Sequence, residues 1–447
     1  MLTISAPPGF EAEKTYVCTV LLSELLGVPW QLQFSPETKH YCIRLPNGRA
    51  LTLADEFWGR LPEDELTPSP KWLPAGVSVL PTSFGQRPPE NNNIIGVYGQ
   101  PIFATTPNGL YCGLDLFAST FFMLTRWEEA VSPVRDAYGR FPASASLAYR
   151  EGFLHRPVVN EYVHFLAQCL ARLGYSLPEY RRHARLHLSC DVDHPRLWWS
   201  WADRWRTLAG SLWRRRNLGE ASWWIRRHFF RGRDPFDVFD EWMERAERQN
   251  LTWHFNFLGE RPKSADAYYS LQHPFVQRLL TRIAERGHVI GFHPSRQAHA
   301  DVQSFKCELD SLRRISPLPV TTGRQHYLCF SAPDTWQRWA DAGMHWDSTL
   351  GYPEAEGFRC GICCDFPVFN FCTRQMLPLR EKPLIAMDVT LAHYQGYTPE
   401  QALERLNTLW KTVQQYGGEF VLLWHNSSWN DYFWKDWHPV LDAYWGC

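Results

Sequence analysis

Two carboxylates, Asp191 and Asp193, stand directly behind the apolar run Leu186–Cys190, in the segment Leu-His-Leu-Ser-Cys-Asp-Val-Asp-His194-Pro195. If that run is a strand, Asp-x-Asp puts both carboxyl groups on one side of its end, about two residue rises apart. One can bind a metal while the other takes a proton from water on that metal. Asp-x-Asp by itself serves equally well as a turn or a cap. Its company separates the readings: Gly-His-Val-Ile-Gly-Phe-His293-Pro-Ser, Gly-Arg324-Gln-His326-Tyr, Trp-Asp347 and Leu-Leu-Trp-His425-Asn each place a catalytically able side chain behind an apolar run. Any one of these histidines could be an ordinary hydrogen-bonded one. Four such matches in sequence order argue for a shared site.

Elements that can position these residues recur from about residue 184 onward. Short apolar or β-branched runs at Leu186–Cys190, Leu251–Leu258, His288–Phe292, Val320–Tyr327, Leu384–Thr390 and Phe420–Trp424, with a weaker one at Gly343–Asp347, read as strands. Helical runs at Pro235–Gln249, Pro274–Arg286, Gln303–Ile315 and Pro399–Tyr416 separate most of them. That alternation is the βα pattern of a parallel sheet or barrel, whose site lies at the carboxyl ends of the strands. The preceding residues read as a smaller α+β domain, with short strand-like pieces, Pro and Gly turns and one apolar helical run at Leu114–Glu129. We place the boundary between 1–180 and 181–447, in a polar, proline-containing stretch. In the first part Asp115, Arg126, Glu128, Glu129, Asp136 and Arg140 either line a cleft or form a satisfied ion-pair cluster, the second being the more frequent case.

The chain of 447 residues is long for one core, and two domains are expected. Hydrophobic residues at 45% and charged residues at 21% argue against extended disorder. A formal charge of −1 gives no global reason to bind nucleic acid. The first residues lack the basic start and apolar core of a secretion signal, so a cytoplasmic protein is expected. Its 12 cysteines then read as reduced thiols, and the cluster Cys360, Cys363, Cys364 and Cys372 as local packing rather than structural zinc.

Residues 186–426 resemble the polysaccharide deacetylases of carbohydrate esterase family 4. That family runs through an Asp-Asp motif, an apolar second strand, here Thr252-Trp-His-Phe-Asn-Phe257, a His motif, an Arg motif and a closing Leu-x-His motif. The His-Pro-Ser, Arg-Gln-His-Tyr, Asp-Ser-Thr-Leu-Gly-Tyr and Gly-Phe-Arg-Cys-Gly segments look like a two-domain subgroup associated with bacterial surface-polysaccharide synthesis, a likeness that includes the N-terminal half. The resemblance implies a distorted (β/α) barrel with Asp191 as general base, Asp193 and His293 as metal ligands, Arg324 holding the base and His425 as general acid. Asp347, or Asp388 in Ala-Met-Asp-Val-Thr, would hold His425 in its working tautomer.

Two departures matter. Where the family's His-x-x-x-His has its second histidine, this chain has Gln297. His326, beside Arg324 at the next strand end, is the expected substitute, with His299 the other possibility. Asp plus two imidazoles suits Zn2+ or a similar divalent ion. The second departure is an insertion, 196–233, with ten Arg and seven Trp against two acids, a formal +8. It reads either as an amphipathic element lying on a membrane surface or as an Arg-laced helical hairpin packed on the first domain, with a nucleic-acid groove the least favoured reading.

The expected function is therefore metal-dependent removal of an acetyl group, N-acetyl before O-acetyl, from a sugar of a bacterial surface glycan or its lipid-linked precursor. The enzyme would be cytoplasmic or peripheral at the inner membrane face. A non-catalytic carbohydrate-binding or scaffold protein that keeps the barrel is the alternative from another class, and an amide hydrolase of small acetyl compounds is a third.

Overall fold

The computed structural model describes residues 1–62, 69–81, 93–178, 183–230, 234–260 and 269–444. The expected boundary at 180/181 and the last residues of the 196–233 insertion lie outside them.

The N-terminal half is built on β1 (Leu2–Ala6), β2 (Trp30–Phe34), β3 (Tyr41–Arg44), β4 (Ala50–Leu53), the small β5–β6 hairpin (Ser78–Pro81 and Asn93–Gly96), β7 (Gly99–Thr106) and β8 (Gly109–Leu114). Six of these form a mixed sheet in the order β2-β1-β3-β4-β8-β7. The expected helix at Leu114–Glu129 is broken in two. Asp115 caps Leu116–Thr125 by accepting from the Ala118 amide, and Arg126, at φ 54°, turns the chain before Trp127–Val131.

The C-terminal half carries β9 (Arg185–Val192), β10 (Trp253–Leu258), β11 (Val289–His293), β12 (Thr322–Gly323), β13 (Trp346–Asp347), β14 (Phe366–Asn370), β15 (Gln375–Glu381), β16 (Ala386–Met387) and β17 (Glu419–Leu423). Their order is β14-β15-β13-β12-β11-β10-β9-β17-β16, parallel throughout except for β14 on β15. Among the described residues no pairing joins β14 to β16, so this is a curled, open half-barrel rather than a closed ring. The curl is deep enough for Arg324, just past β12, to reach Ser189 and Asp191 on β9 across two intervening strands. Helices fall close to where the sequence puts them. Pro399–Tyr416, for example, starts at a Thr398/Gln401 capping box and ends at Gly417, φ 62°.

Two expected strands are shorter than their apolar runs. Val320–Tyr327 pairs only at Thr322–Gly323: the amides of Arg324 and His326 still follow the neighbouring chain, donating to Phe292 O and Pro294 O, but the Gln325 amide donates to the Thr349 hydroxyl instead of a β13 carbonyl and a tight turn begins at His326. Tyr327 and Leu328 then take φ of 59° and 54°, a strained left-handed pair of the kind that concentrates at functional sites. Leu384–Thr390 keeps two paired residues before a wide helical turn at Thr390–Tyr394. The β14–β15 hairpin follows a segment read only as loop packing. Cys360, Cys363 and Cys364 are buried there as free thiols, while Cys372 is exposed.

One cluster of buried apolar side chains runs from Leu2 to Tyr444, so the two halves share a core. Polar contacts cross the same seam. Glu129 is clamped between Arg126 and Arg359, all three buried, with N–O distances of 2.6–2.9 Å. Tyr16 donates to Pro367 O at 2.8 Å, and Arg374 pairs with Glu13 at 2.9 Å. Of the six acids and bases picked out in the first part, Asp115, Arg126, Glu128 and Glu129 are therefore helix cap and ion-pair network. Asp136 and Arg140 have a different position, described below.

Candidate active site

Asp191 lies near the end of β9 and Asp193 just past it, and the register of β9 against β10 puts Asn256 beside Asp191. The Asn256 side chain donates to Asp191 Oδ1 at 2.7 Å. It can lie there because the facing residue is Gly291; a Cβ at that position would stand 2.0 Å from Asn256 Oδ1. Arg324, wholly buried, donates to the same carboxylate oxygen at 3.0 Å and is held by Ser189, by the Ser348 hydroxyl and by the Ser348 carbonyl. Burial raises the Asp191 carboxyl, but Arg324, then His293 and His425, outweigh it and keep it below the usual carboxylate range. Asp191 is thus an ionised, rigidly oriented acceptor.

Asp193, His293 and His326 form a second group whose ligand atoms all lie within 4.8 Å of one another. Asp193 Oδ1 is buried without a well-formed hydrogen bond, 3.4 Å from Nε2 of His293 and 3.4 Å from Nε2 of His326. Two donors on a tetrahedral ion at bonds of ~2.1 Å stand about 3.4 Å apart, so this spacing suits a cation better than hydrogen bonds. His293 is preset for such a role, because its Nδ1 donates to Arg324 O at 2.7 Å and leaves Nε2 as the lone pair facing Asp193. Burial raises Asp193 too, but His326 and His293 hold it well below the ordinary range. His293 is raised in turn, Asp191 and Asp193 overcoming burial. Three donors of this type, exchanging protons for a divalent ion, fit the metal that the sequence led us to expect. His299, the other possibility, lies 3.3 Å from Ser331 Oγ and outside the group.

On the far side of Asp193 stands His425, directly past β17. Its Nδ1 pairs with Asp388 Oδ1 at 2.8 Å and its backbone amide donates to Asp388 Oδ2 at 2.8 Å. Nε2 then faces the pocket, 3.9 Å from Asp193 Oδ2. Burial pulls His425 down, but Asp388, with help from Asp193 and Asp191, raises it to about 9, so it carries a proton at neutral pH. Of the two acids offered for this histidine, Asp388 makes the contact. Asp347 is buried elsewhere, accepting from the Thr349 hydroxyl and neighbouring Glu381, because β13 delivers it to the wall of the sheet away from His425.

A pocket of roughly 300 Å3 opens over these groups. Its floor is Asp191, Asp193, His293, His326 and His425, and one wall is apolar, with Leu328, Met387, Val389 and Leu423. The lining also includes Arg140, which comes from the N-terminal half and bonds to Asp136, Tyr394 and the Tyr327 carbonyl. Sequence reading offered Arg140 as a cleft residue but could not place it beside this turn, since nothing local ties residue 140 to residue 327. Asn256 was readable: polar residues at 254 and 256 alternate within an otherwise apolar strand, the signature of an inward polar face.

Comparison with known proteins assigns no activity to the chain. Residues 2–175 match a family of unknown function, DUF7033, whose description carries no activity. No protein of curated function matches the chain. Among solved structures, one named for a polysaccharide deacetylase from Mycobacterium smegmatis aligns at 16% identity, over 60% of this chain and 84% of that one, with a TM-score of 0.38. That likeness is too loose to carry an argument, and the functional reading rests on the site itself.

Proposed function

We propose that the protein is a metal-dependent hydrolase that removes an acetyl group, N-acetyl in the first instance, from a sugar of a bacterial surface glycan or its lipid-linked precursor, on a half-barrel of the polysaccharide-deacetylase type. One observation carries the reading: an ionised acid and a protonated imidazole, Asp191 and His425, flank the Asp193/His293/His326 group on two sides, each fixed by its own partners. A binding protein has no need of a base and an acid held in this way.

Asp193, His293 and His326 would hold a divalent ion, Zn2+ by donor type, and that ion would polarise the acetyl carbonyl and acidify a water molecule. Asp191, ionised and aimed by Arg324 and Asn256, accepts the proton of the attacking water. His425 gives its Nε2 proton to the amine as the C–N bond breaks, so amide and water become amine and acetate. Asp388 supports the imidazolium in this step and fixes the nitrogen that faces the substrate. The apolar wall at Met387 and Leu423 suits a methyl group, and the aromatic and guanidinium side at Tyr394 and Arg140 suits a sugar with hydroxyl or acidic substituents.

The test is acetate release by metal-loaded protein from N-acetylated and O-acetylated oligosaccharides and from lipid-linked acetylamino sugars. Release that is abolished in Asp191→Asn and His425→Ala, with metal still bound, supports the reading. Stoichiometric metal binding with no release from any of these substrates would leave the non-catalytic alternative standing.

A further inference from the structure

The insertion after Asp193 is a helical hairpin, Trp201–Ala209 and Gly210–Arg214 leading through a turn at Arg216 to Leu218–Trp224 and Ile225–Phe229. It has a small core of its own, Trp198, Leu208, Trp224 and Phe229, and packs on Tyr432. The packed-hairpin reading is met in part: the hairpin packs on itself and on Tyr432 of the C-terminal half, and its core uses only some of its aromatic residues. Trp213 is 79% exposed, Leu218 75%, Phe230 74%, and Trp201 and Trp205 61% each. Trp201, Trp205 and Phe230 all meet the ring of Phe229 and so form one patch, while Trp213 and Leu218 crown the tip. Exposed large apolar side chains this dense are rare on a surface that faces only water.

Cations frame the same surface. Arg206 pairs with Asp203 and Arg215 with Glu220, but among the described residues no carboxylate pairs with Arg214, Arg216, Arg226 or Arg227, all of them exposed. Exposed indole rings on a hairpin that also carries exposed guanidinium groups without a carboxylate partner match the boundary of an anionic bilayer, where aromatic rings sit at headgroup depth and basic side chains meet phosphates. No described helix is long and apolar enough to cross a membrane, so the match is to a surface contact.

The hairpin is also tied to the candidate active site. Asn426, next to His425, donates to the carbonyls of His194 and Phe236 at the two ends of the insertion, and Asp234 accepts from the amides of Leu197 and Trp198. Half-exposed Phe433 borders the hairpin and stacks on His393, whose neighbour Tyr394 forms the pocket rim.

We infer that the 197–230 hairpin docks the protein on an anionic lipid surface and sets the pocket mouth beside the headgroups, so that the acyl sugar is taken from a membrane-borne carrier. The acyl-sugar clause rests on the hydrolytic reading; docking does not, since it is measured without turnover.

The experiment is sedimentation of the full chain with vesicles of phosphatidylcholine alone or mixed equally with phosphatidylglycerol, at low salt and at roughly 0.5 M salt. Wild type should bind the anionic vesicles at least about tenfold better than the neutral ones, each near-surface arginine being worth up to roughly fivefold. Changing Arg214, Arg216, Arg226 and Arg227 to Gln should erase the anionic preference. Changing Trp205, Trp213 and Phe230 to Ser should remove the part that survives high salt. Wild type that stays in the supernatant with anionic vesicles at low salt overturns the inference. So does a wild-type dimer in light scattering that the Trp/Phe variant converts to monomer, which would assign the patch to a second copy of the chain.

Discussion

Arg140 Nη1 donates to the backbone carbonyl of Tyr327 at 2.8 Å, one residue past His326. This contact joins the N-terminal half to the turn that carries a candidate metal ligand. The turn needs a brace, because Tyr327 and Leu328 both hold left-handed conformations. Tyr138, two residues before Arg140, stacks on Tyr327 at 5.4 Å and adds a second contact to the same turn.

Arg140→Met should loosen that turn while leaving the shared core intact. Metal affinity is expected to fall by about 10-fold, the lower range for residues that orient ligands, and KM for an acetylated substrate to rise. Competition with a chromogenic chelator measures the first and steady-state kinetics the second. Unchanged values in both would make Arg140 a surface-pairing residue only.

Asp193→Ala, His293→Ala and His326→Ala should each reduce metal affinity by a factor of tens or more, whereas Asp191→Asn should keep the metal and lose turnover. His299→Ala should resemble wild type, since its ring lies at Ser331. Metal content after dialysis against a buffered ion separates ligand from base. Full retention in Asp193→Ala and His293→Ala would sink the assignment.

Asp388→Asn removes the charge behind His425 but keeps a side chain of the same shape. The amide can present its NH2 to Nδ1 and favour the tautomer with its proton on Nε2 as a neutral imidazole, a weaker acid catalyst. We expect kcat to fall by about 10²–10⁴ with metal content unchanged. Asp347→Asn should lower kcat far less, because Asp347 does not reach His425.

The pair of buried acids behind the site has its own signature. Burial pushes Asp347 and Glu381 up, Asp347's charge adding to the rise at Glu381, and burial lifts Glu128 to about 7 against the pull of Arg126. A carboxyl whose folded pKa is raised contributes stability below its unfolded value near 4, and that contribution is lost as pH climbs through the folded value. His187 and His254, kept neutral by burial, act in the opposite direction but only below about pH 6.5. The melting temperature of metal-stripped protein should therefore decline as pH climbs to about 7, where Asp347 and Glu128 finish titrating, with His425 extending the decline toward about 9, and Asp347→Asn should flatten the part up to about 7. An Asp347→Asn profile as steep as wild type up to about pH 7 would contradict the buried-acid account.

Much of the C-terminal half was legible in the sequence because its signals are local. A parallel strand buried on both faces must be a short apolar run, and residues at its end face the carboxyl end of the sheet; Asp191, Asp193, His293 and His425 stood out by that rule together with their order along the chain. Helix limits were readable for the same reason, since Thr398, Gln401 and Gly417 are capping residues whatever the helix packs against. The short pairing of β12 was not readable, because leaving β13 after Gly323 depends on the Thr349 hydroxyl, contributed from beyond another strand.

Tertiary structure alone decided which members of the sequence set act together. Asp347 and Asp388 both follow apolar runs, and nothing local distinguishes them; the curl of the sheet brings β16 beside β17 and so gives His425 to Asp388. His326 and His299 were alternatives until a chain reversal at Tyr327 put one imidazole 3.4 Å from Asp193. Arg140 entered the pocket from 187 positions away in the chain. Residue types and their order state what chemistry is available, because strand periodicity and capping act over a few residues. Which groups meet is set by the curvature of the sheet and by a core that the two halves share, and those are properties of contacts distant in sequence.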